Sequence, residues 1–584
     1  MDPLVVVAID FGTTYSGWAF SFRHEYERDP IKVSSKNWQG GTLVSQKGPT
    51  CILIKSDGKT TDSFGYDAES KYAEKVEDNE QDQWFFFRRF KMLLFKDQGM
   101  KRNATLEDES GKKLPAMTVF ALSIEYLKKD VLETLGKQVD TGLTVDDIHW
   151  VLTVPAIWND AAKQFMREAA QKAGIPGKKL RICLEPEAAS IYCRHLPVSK
   201  SSTEGEKTSL AQFSAGTKYL VLDAGGGTVD ITVHEVTEKG ELKELHKASG
   251  GAWGGTKIDQ AYEAFLTNIV GGKNPGGDVM LKFKKEHMDD YIDVFREFEM
   301  KKRQIFSDKQ ERVTLRMPAS LSKLCNEMRG NDLKDLILQS RFGGKVKVLS
   351  DKLRVDADVV RELFRPTVRN IIDHVATLLE DTSVLGCSAI LMVGGFSASP
   401  ILQQSLKAKF PNLKIIIPED AGLAVLKGAV IFGHEPTAIT ERVCKYTYGE
   451  RTTHNYNNCK HPKGRVETDE NGDLRCYDLF KIHAKAGQSV KLNEEQPEAI
   501  HTPITDDQTA MGFRIYSSSA TNPYFITEKG CNLIGQFSIP VTDTSLGRAH
   551  RFGTSFIFGG TEIVVKVVDK VTDDVTYESV DFLG

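Results

Sequence analysis

Two stretches of the chain set an aspartate, a glycine-bearing turn and a threonine between apolar runs. The first reads Val5-Val6-Val7-Ala8-Ile9-Asp10-Phe11-Gly12-Thr13-Thr14-Tyr15-Ser16. The second reads Tyr219-Leu220-Val221-Leu222-Asp223-Ala224-Gly225-Gly226-Gly227-Thr228-Val229-Asp230-Ile231. Each predicts a strand, a tight turn and a second strand, unlike the dinucleotide fingerprint, whose glycines open a helix. Glycine brings main-chain N–H groups close to phosphate oxygens with no Cβ in the way. Threonine hydroxyls add donors, and an aspartate at a strand end can hold the hydration shell of Mg²⁺. Facing each other across a cleft, two such hairpins would grip the phosphate tail of a nucleotide from both sides. One copy alone is equally an ordinary glycine turn. Matched Asp and Thr spacing in two copies favours the phosphate reading.

A third element, Ala389-Ile390-Leu391-Met392-Val393-Gly394-Gly395-Phe396-Ser397-Ala398-Ser399-Pro400, leads into a helical pattern through Phe410. Ser399 is placed to cap that helix and Pro400 to begin it. The helix start would turn free N–H groups and its positive end toward the nucleotide. A junction serving packing alone is the alternative.

These loops need a scaffold. The chain has 584 residues, enough for several domains, and its 40% hydrophobic and 27% charged residues suit a soluble protein. Its net charge of −4 carries no nucleic-acid signature. The N-terminus lacks a basic, cleavable leader, and no apolar run reaches bilayer-spanning length. Nine scattered cysteines fit reduced thiols and a cytoplasmic or nuclear protein. Through residue 434, strand-like runs (Leu4–Ile9, His149–Val154, Tyr219–Leu222, Ala389–Val393) alternate with amphipathic helices, an α/β pattern. One helix runs from Asp160 to Ala173 and stops at Gly174. Ser199–Gly216 reads as a surface insertion. Residues 435–479 read as linker or insertion. Residues 480–584, with runs at Phe513–Tyr516, Leu533–Ile539 and Glu562–Val568, read as an all-β, sandwich-like module with no helical segment after it. His454, Cys459, His461 and Cys476 lack standard zinc spacing and read as incidental loop residues.

The three glycine motifs, in this order, resemble the 70-kDa heat shock chaperone family of the actin–hexokinase–heat-shock ATPase superfamily. Val151–Asp160 resembles the family's first connecting segment, Leu184–Ser190 its Glu-Pro segment, and Glu299, Lys302 and Arg303 its adenosine-contacting helix. Gly17–Phe22, Phe165–Ala170 and Glu187–Arg194 resemble, within it, the divergent heat shock 70 kDa protein 12 branch. The resemblance covers about residues 4–434. It implies an actin-like ATPase fold of two lobes with a duplicated sheet core, binding ATP or ADP with Mg²⁺. Gly12, Thr13, Thr14 and Tyr15 would line the β- and γ-phosphates, with Gly226, Gly227 and Thr228 opposite. Asp10 and Asp223 would organise Mg²⁺ through its waters. Lys91 would position the attacking water and Glu185 orient it or take its proton. Gly394, Gly395 and Phe396 would border the base. Each has a plainer alternative. Lys91 is one of three cations in Phe87-Arg88-Arg89-Phe90-Lys91, Glu185 could cap a turn, and Glu299, Lys302 and Arg303 could face solvent.

The chain also departs from the family. Ala398 stands where the family stacks an arginine on adenine, and Pro436-Thr437-Ala438-Ile439-Thr440-Glu441-Arg442-Val443 replaces a leucine-rich linker. Pro155 belongs to the family's relay between domains or simply ends a strand. The expected function is a slow, chaperone-like ATPase that couples nucleotide state to protein clients through the β module, with co-chaperones as further partners. A non-hydrolysing ATP-binding scaffold or adaptor is the alternative, and a small-molecule kinase of the same fold a third reading.

Overall fold

The computed structural model describes residues 3–40, 43–96, 100–138, 143–196, 213–274, 277–458, 460–469, 472–559 and 562–583. Most of the expected insertion at Ser199–Gly216, and Cys459, lie outside them. Among the described residues no helix is long and apolar enough to cross a membrane.

Two sheets repeat one plan. In the first, β1 (Val5–Phe11), β2 (Tyr15–Phe22), β3 (Ile148–Val154) and β4 (Leu180–Leu184) run in the order β4-β3-β1-β2. β1 pairs antiparallel with β2 and parallel with β3, which pairs parallel with β4. In the second, β5 (Lys218–Ala224), β6 (Val229–Val236), β7 (Leu242–Gly251), β8 (Cys387–Val393) and β9 (Lys414–Ile416) run in the order β9-β8-β5-β6-β7. β5 again pairs antiparallel with the strand after it and parallel with β8. β1 is buried at every residue, as its unbroken apolar run requires of a strand covered on both faces. The turns of β1–β2 and β5–β6 therefore occupy equivalent corners of two lobes.

Six helices bear on the site: α1 (Asp160–Lys172), α2 (Glu185–His195), α3 (Thr256–Ile269), α4 (Met288–Lys302), α5 (Pro400–Lys409) and α6 (Ala424–His434). Asn159 caps α1 by accepting the N–H of Ala162 at 2.9 Å, and Gly174 follows its end at φ 79°. α5 begins at Pro400 as expected, but the hydroxyl of Ser399 makes no capping bond. Each lobe has its own apolar core, and a third core lies between the sheets, built on α2 and α6. There Gly428 of α6 meets the main chain of α2, where a Cβ would overlap the carbonyl of Ala188.

From Ile439 the described elements are strands and short 3₁₀ turns. The strands that matter here are β10 (Ile439–Val443), β11 (Thr447–Asn455), β12 (Leu474–Ala484), β13 (Ser489–Lys491), β14 (Ala499–His501), β15 (Ala510–Ser518), β16 (Cys531–Pro540), β17 (Phe552–Gly559), β18 (Glu562–Asp569) and β19 (Val575–Ser579). One sheet runs Val466–Thr468, β12, β11, β15, β16, and another β14, β17, β18, β19. They share a core in which Tyr448, Phe513 and Ile515 meet Phe552, Phe556 and Val565. Residues 435–479 are therefore more than a linker or insertion: they hold β10, β11 and the start of β12. β10 extends the sheet of the second lobe, pairing parallel with β7 at Leu242–Ile439 and antiparallel with β13. The strands beyond pack on the first lobe. Tyr448 Oη donates to Asp160 at 2.6 Å, Arg167 pairs with Glu562 at 2.6 Å, and Leu583 is buried in the first lobe's core.

A buried carboxylate ties the two distal sheets together. Glu450 Oε1 accepts Nε2–H of His483 at 2.8 Å, Nε2–H of His501 at 2.7 Å and the hydroxyl of Thr554 at 2.8 Å. Burial pushes its pKa up, but the hydrogen bonds of His483 and His501 outweigh this and hold it at about 2, against an ordinary 4.5. A depressed carboxyl contributes stability that is full above its unfolded pKa and is lost as pH falls toward the folded value. Urea melts at pH 6, 4 and 3 should therefore show a steeper loss in the wild type than in Glu450→Gln; equal slopes would contradict the assignment.

Candidate functional site

A cleft of about 390 Å³ opens between the lobes, and every site residue expected from the sequence lies on its wall. The β1–β2 turn supplies Gly12, Thr13, Thr14 and Tyr15, and the β5–β6 turn supplies Gly226, Gly227 and Thr228. Asp10 and Asp223 occupy corresponding strand ends. Lys91 and Glu185 close the inner end. Gly394, Gly395 and Phe396 enter from the end of β8, and Glu299, Lys302 and Arg303 from the end of α4.

The two turns touch across the cleft. A Cβ on Gly226 would overlap the side chain of Thr14, and one on Gly227 the side chains of Thr13 and Met92. Gly226→Val should therefore force the turns apart or close the space between them. Overpacking of this kind costs about 1–3 kcal/mol, roughly 5- to 150-fold in Kd. Calorimetric titration with ATP and Mg²⁺ checks it, and an unchanged Kd would show that the cradle does not hold the ligand.

Charge is concentrated at the inner end. Asp10 is paired with Lys47 at 2.5 Å and accepts the hydroxyl of Thr153 at 2.8 Å. Burial works to raise its pKa, but Lys47 and then Lys91 bring it below the ordinary value. Asp223 faces the opposite balance. Burial, then the negative charges of Glu185, Asp230 and Asp10, push it well up. Glu185 is likewise raised, by burial first and with Asp10 adding to it, against the pull of Lys91. The sequence left three cations in competition, and the fold separates them. Arg88 pairs with Glu69 at 3.1 Å and Arg89 with Asp259 at 2.9 Å. Lys91 alone turns inward, 2% exposed, with Nζ 2.8 Å from Glu185 Oε1 and over the ring of Trp158 at 5.0 Å.

At the outer end Lys302 bonds Asp259 at 2.7 Å and Glu299 at 2.5 Å, while Arg303 holds Glu299 at 2.8 Å. The three form one charged rim on the cleft. Phe396 is buried against it, whereas Ala398 is exposed and off the wall. Pro155 follows β3 with a trans peptide, and two residues later the N–H of Ile157 donates to Asp230 at 2.8 Å. The carbonyl of the same Ile157 accepts Lys445 Nζ at 2.6 Å, which links the cleft's second hairpin to the chain between β10 and β11.

Several residues on or behind the wall escaped the sequence reading. Lys47, Thr153 and Asp259 are single polar residues far along the chain from the groups they serve. Gly254, Gly255 and Thr256 hydrogen-bond the second turn through the carbonyls of Gly227, Gly225 and Gly226 at 3.2, 3.1 and 2.8 Å. Their Gly-Gly-Thr sequence, ahead of α3, was a usable signal. Around His454, His461 and Cys476 no cluster able to hold a metal occurs among the described residues; His461 Nδ1 accepts the N–H of Asn457 at 3.0 Å.

The wall fits a magnesium nucleotide. Glycines leave a cradle that any Cβ would fill, and Asp10, Asp223 and Glu185 bring more negative charge than the two lysines offset, as the raised Asp223 and Glu185 attest.

Known proteins support the same assignment. A family model described as Hsp70 protein matches residues 81–285. The chain is 34% identical to heat shock 70 kDa protein 12A of Homo sapiens, across 100% of this chain and 92% of that protein. It is 35% identical to the Mus musculus protein 12A with the same coverage. With heat shock 70 kDa protein 12B of Homo sapiens it shares 33% identity, across 99% of this chain and 91% of the relative. Full-length similarity of this order, on an actin-like pair of lobes closing over a nucleotide cleft, places the chain in the heat shock 70 kDa protein family, in the branch of proteins 12A and 12B.

Proposed function

We propose that the protein is a slow ATPase that couples its nucleotide state to the binding of protein partners through the strands beyond Thr447. The observation that carries the reading is the Lys91–Glu185 pair at 2.8 Å, set at the inner end of the cleft that both aspartate-tipped hairpins line. The turn N–H groups and Thr13, Thr14 and Thr228 bind and orient the phosphates. Lys91 and Lys47 offset their charge. Glu185 orients the attacking water and takes its proton, a role that its raised pKa suits. Bound Mg²⁺ supplies further neutralisation of the phosphate oxygens, with Asp10 and Asp223 holding its waters. Positioning and electrostatics of this kind suffice for phosphoryl transfer to water.

The route to partners is the docked strand β10 together with the Asp230–Ile157–Lys445 link. Co-chaperone binding belongs to the same reading, as does a cytoplasmic setting, which the free thiols of the described cysteines suit. Single-turnover hydrolysis with Mg²⁺, run beside partner capture in ATP and in ADP, tests both halves. Release of inorganic phosphate at a slow rate and capture that changes with nucleotide are expected. Absence of ATP binding by calorimetry would refute the whole reading, and identical capture in both nucleotides would refute the coupling.

A further inference from the structure

The two hairpins match in sequence but not in what their aspartates hold. Lys47 stands between the short strands Leu43–Ser45 and Gly48–Pro49, and the second of these pairs with β2 through Ser16–Gly48 and Tyr15–Pro49. That pairing fixes the lysine beside the first hairpin. Its Nζ lies 2.5 Å from Asp10 Oδ2 and donates to the carbonyl of Gly422 at 2.8 Å. The other oxygen of Asp10 accepts the hydroxyl of Thr153. Asp223 makes no ion pair among the described residues. The first aspartate therefore carries a cation of the protein's own, and the second does not.

Neighbouring residues seat the lysine. A Cβ on Gly17 of β2 would come within 3.1 Å of Lys47 Cγ and 2.9 Å of the carbonyl of Gln46, so this glycine leaves room for the stem. Gly422 belongs to the turn between β9 and α6 of the second lobe. In the same turn the carbonyl of Ala421 accepts the N–H of Gly394, in the third glycine motif, at 2.9 Å. The ammonium thus reaches from one lobe to the other on the wall of the cleft. A carboxylate oxygen and a main-chain carbonyl are donors of the kind that hard cations take. Here both hold an ammonium, which among the described residues has a third N–H left to give.

We propose that Lys47 is a tethered counter-cation for the nucleotide's phosphates, and that it lets the cleft take ATP without a divalent metal. Lysine meets phosphate as a point charge on a flexible stem. A small swing of that stem brings the third N–H to a phosphate oxygen while Asp10 keeps hold of the nitrogen. Lys47 then secures affinity, and bound Mg²⁺ adds neutralisation of the phosphate oxygens that serves the rate of transfer. The inference rests on the proposed ATP binding and names the group that holds the ligand when metal is withheld. A plain strut between the lobes is the alternative, and the two differ in their dependence on metal. Loss of a strut weakens nucleotide binding alike with and without Mg²⁺. Loss of a counter-cation weakens it chiefly where no other cation can stand in.

Calorimetric titration of the full chain with ATP, in excess EDTA and again in excess Mg²⁺, tests it. The wild type is expected to bind in EDTA with a Kd within about tenfold of its value in Mg²⁺. Lys47→Met should weaken binding about 30-fold in EDTA but less than about fivefold in Mg²⁺. Lys47→Arg, which keeps the charge, should bind in EDTA within about fivefold of wild type. Wild-type binding that is lost in EDTA and present in Mg²⁺ would overturn the proposal and leave the ATPase reading in place. Equal weakening of Lys47→Met in both solutions would make the lysine a strut and overturn it too. No wild-type binding in either solution would refute the ATPase reading and this proposal with it. The wild-type comparison decides even where Lys47→Met fails to fold.

Discussion

Glu185→Gln is expected to slow single-turnover ATP hydrolysis by about 10²–10⁴-fold while leaving ATP affinity within about threefold, the pattern of a group that acts in the transition state. The carboxylate opens α2, and its Oε1 sits 2.8 Å from Lys91 Nζ. Glutamine keeps the size and an acceptor for Lys91, so the wall should hold, but it takes no proton. Lys91→Met removes the partner charge. Its expected loss in rate is of the same order, with some loss of affinity because a buried cation beside the phosphates is gone. Unchanged hydrolysis in both variants would remove this pair from the chemistry. A wild type that binds ATP but hydrolyses none would favour the scaffold reading, and transfer of phosphate to a metabolite rather than water would revive the kinase reading.

Arg442→Ala is expected to destabilise the docked arrangement by about 3–5 kcal/mol, because removing one member of a buried ion pair strands the other. Arg442 places Nε and Nη2 2.6 Å from the two oxygens of Glu187, whose side chain is 2% exposed. It lies in β10, and Glu187 lies in the same first turn of α2 as Glu185. The protein can escape the penalty by releasing β10 from the sheet edge. The variant should then gain a protease-sensitive site within 435–446 and keep most of its ATP binding. Glu187→Met with Arg442→Leu, which replaces the pair by apolar side chains, should recover much of the stability. Melts and limited proteolysis of the three proteins check this. A single Arg442→Ala variant as stable and as protease-resistant as wild type would show that the pair does not hold the strand.

The parts of the site legible in the sequence share one property: local sequence carries their geometry. A Gly-Gly-Gly-Thr turn between apolar strands is readable without its surroundings. Lys47 and Asp259 were illegible because each acts on a group brought near only by the tertiary fold. β11 was missed for another reason. Its sequence, Thr-Tyr-Gly-Glu-Arg-Thr-Thr-His-Asn, is polar, and its inward-facing Glu450 is held through Oε1 by His483, His501 and Thr554 rather than by apolar packing. Periodicity methods count apolar residues and pass over such a strand. β10 looked like a linker because its worth lies in an edge of the second lobe that the sequence does not display.

Gly428 against the carbonyl of Ala188 has a dynamic consequence. Where two helices meet main chain to main chain, no side chain can change rotamer to absorb displacement. Sliding or separation of α2 and α6 would open a void directly, while rotation about the contact keeps it filled. The lobes are thus pinned like scissor blades at a rivet, free to change angle and barred from drifting, so that breathing of the cleft mouth must tilt the paired hairpins as rigid jaws.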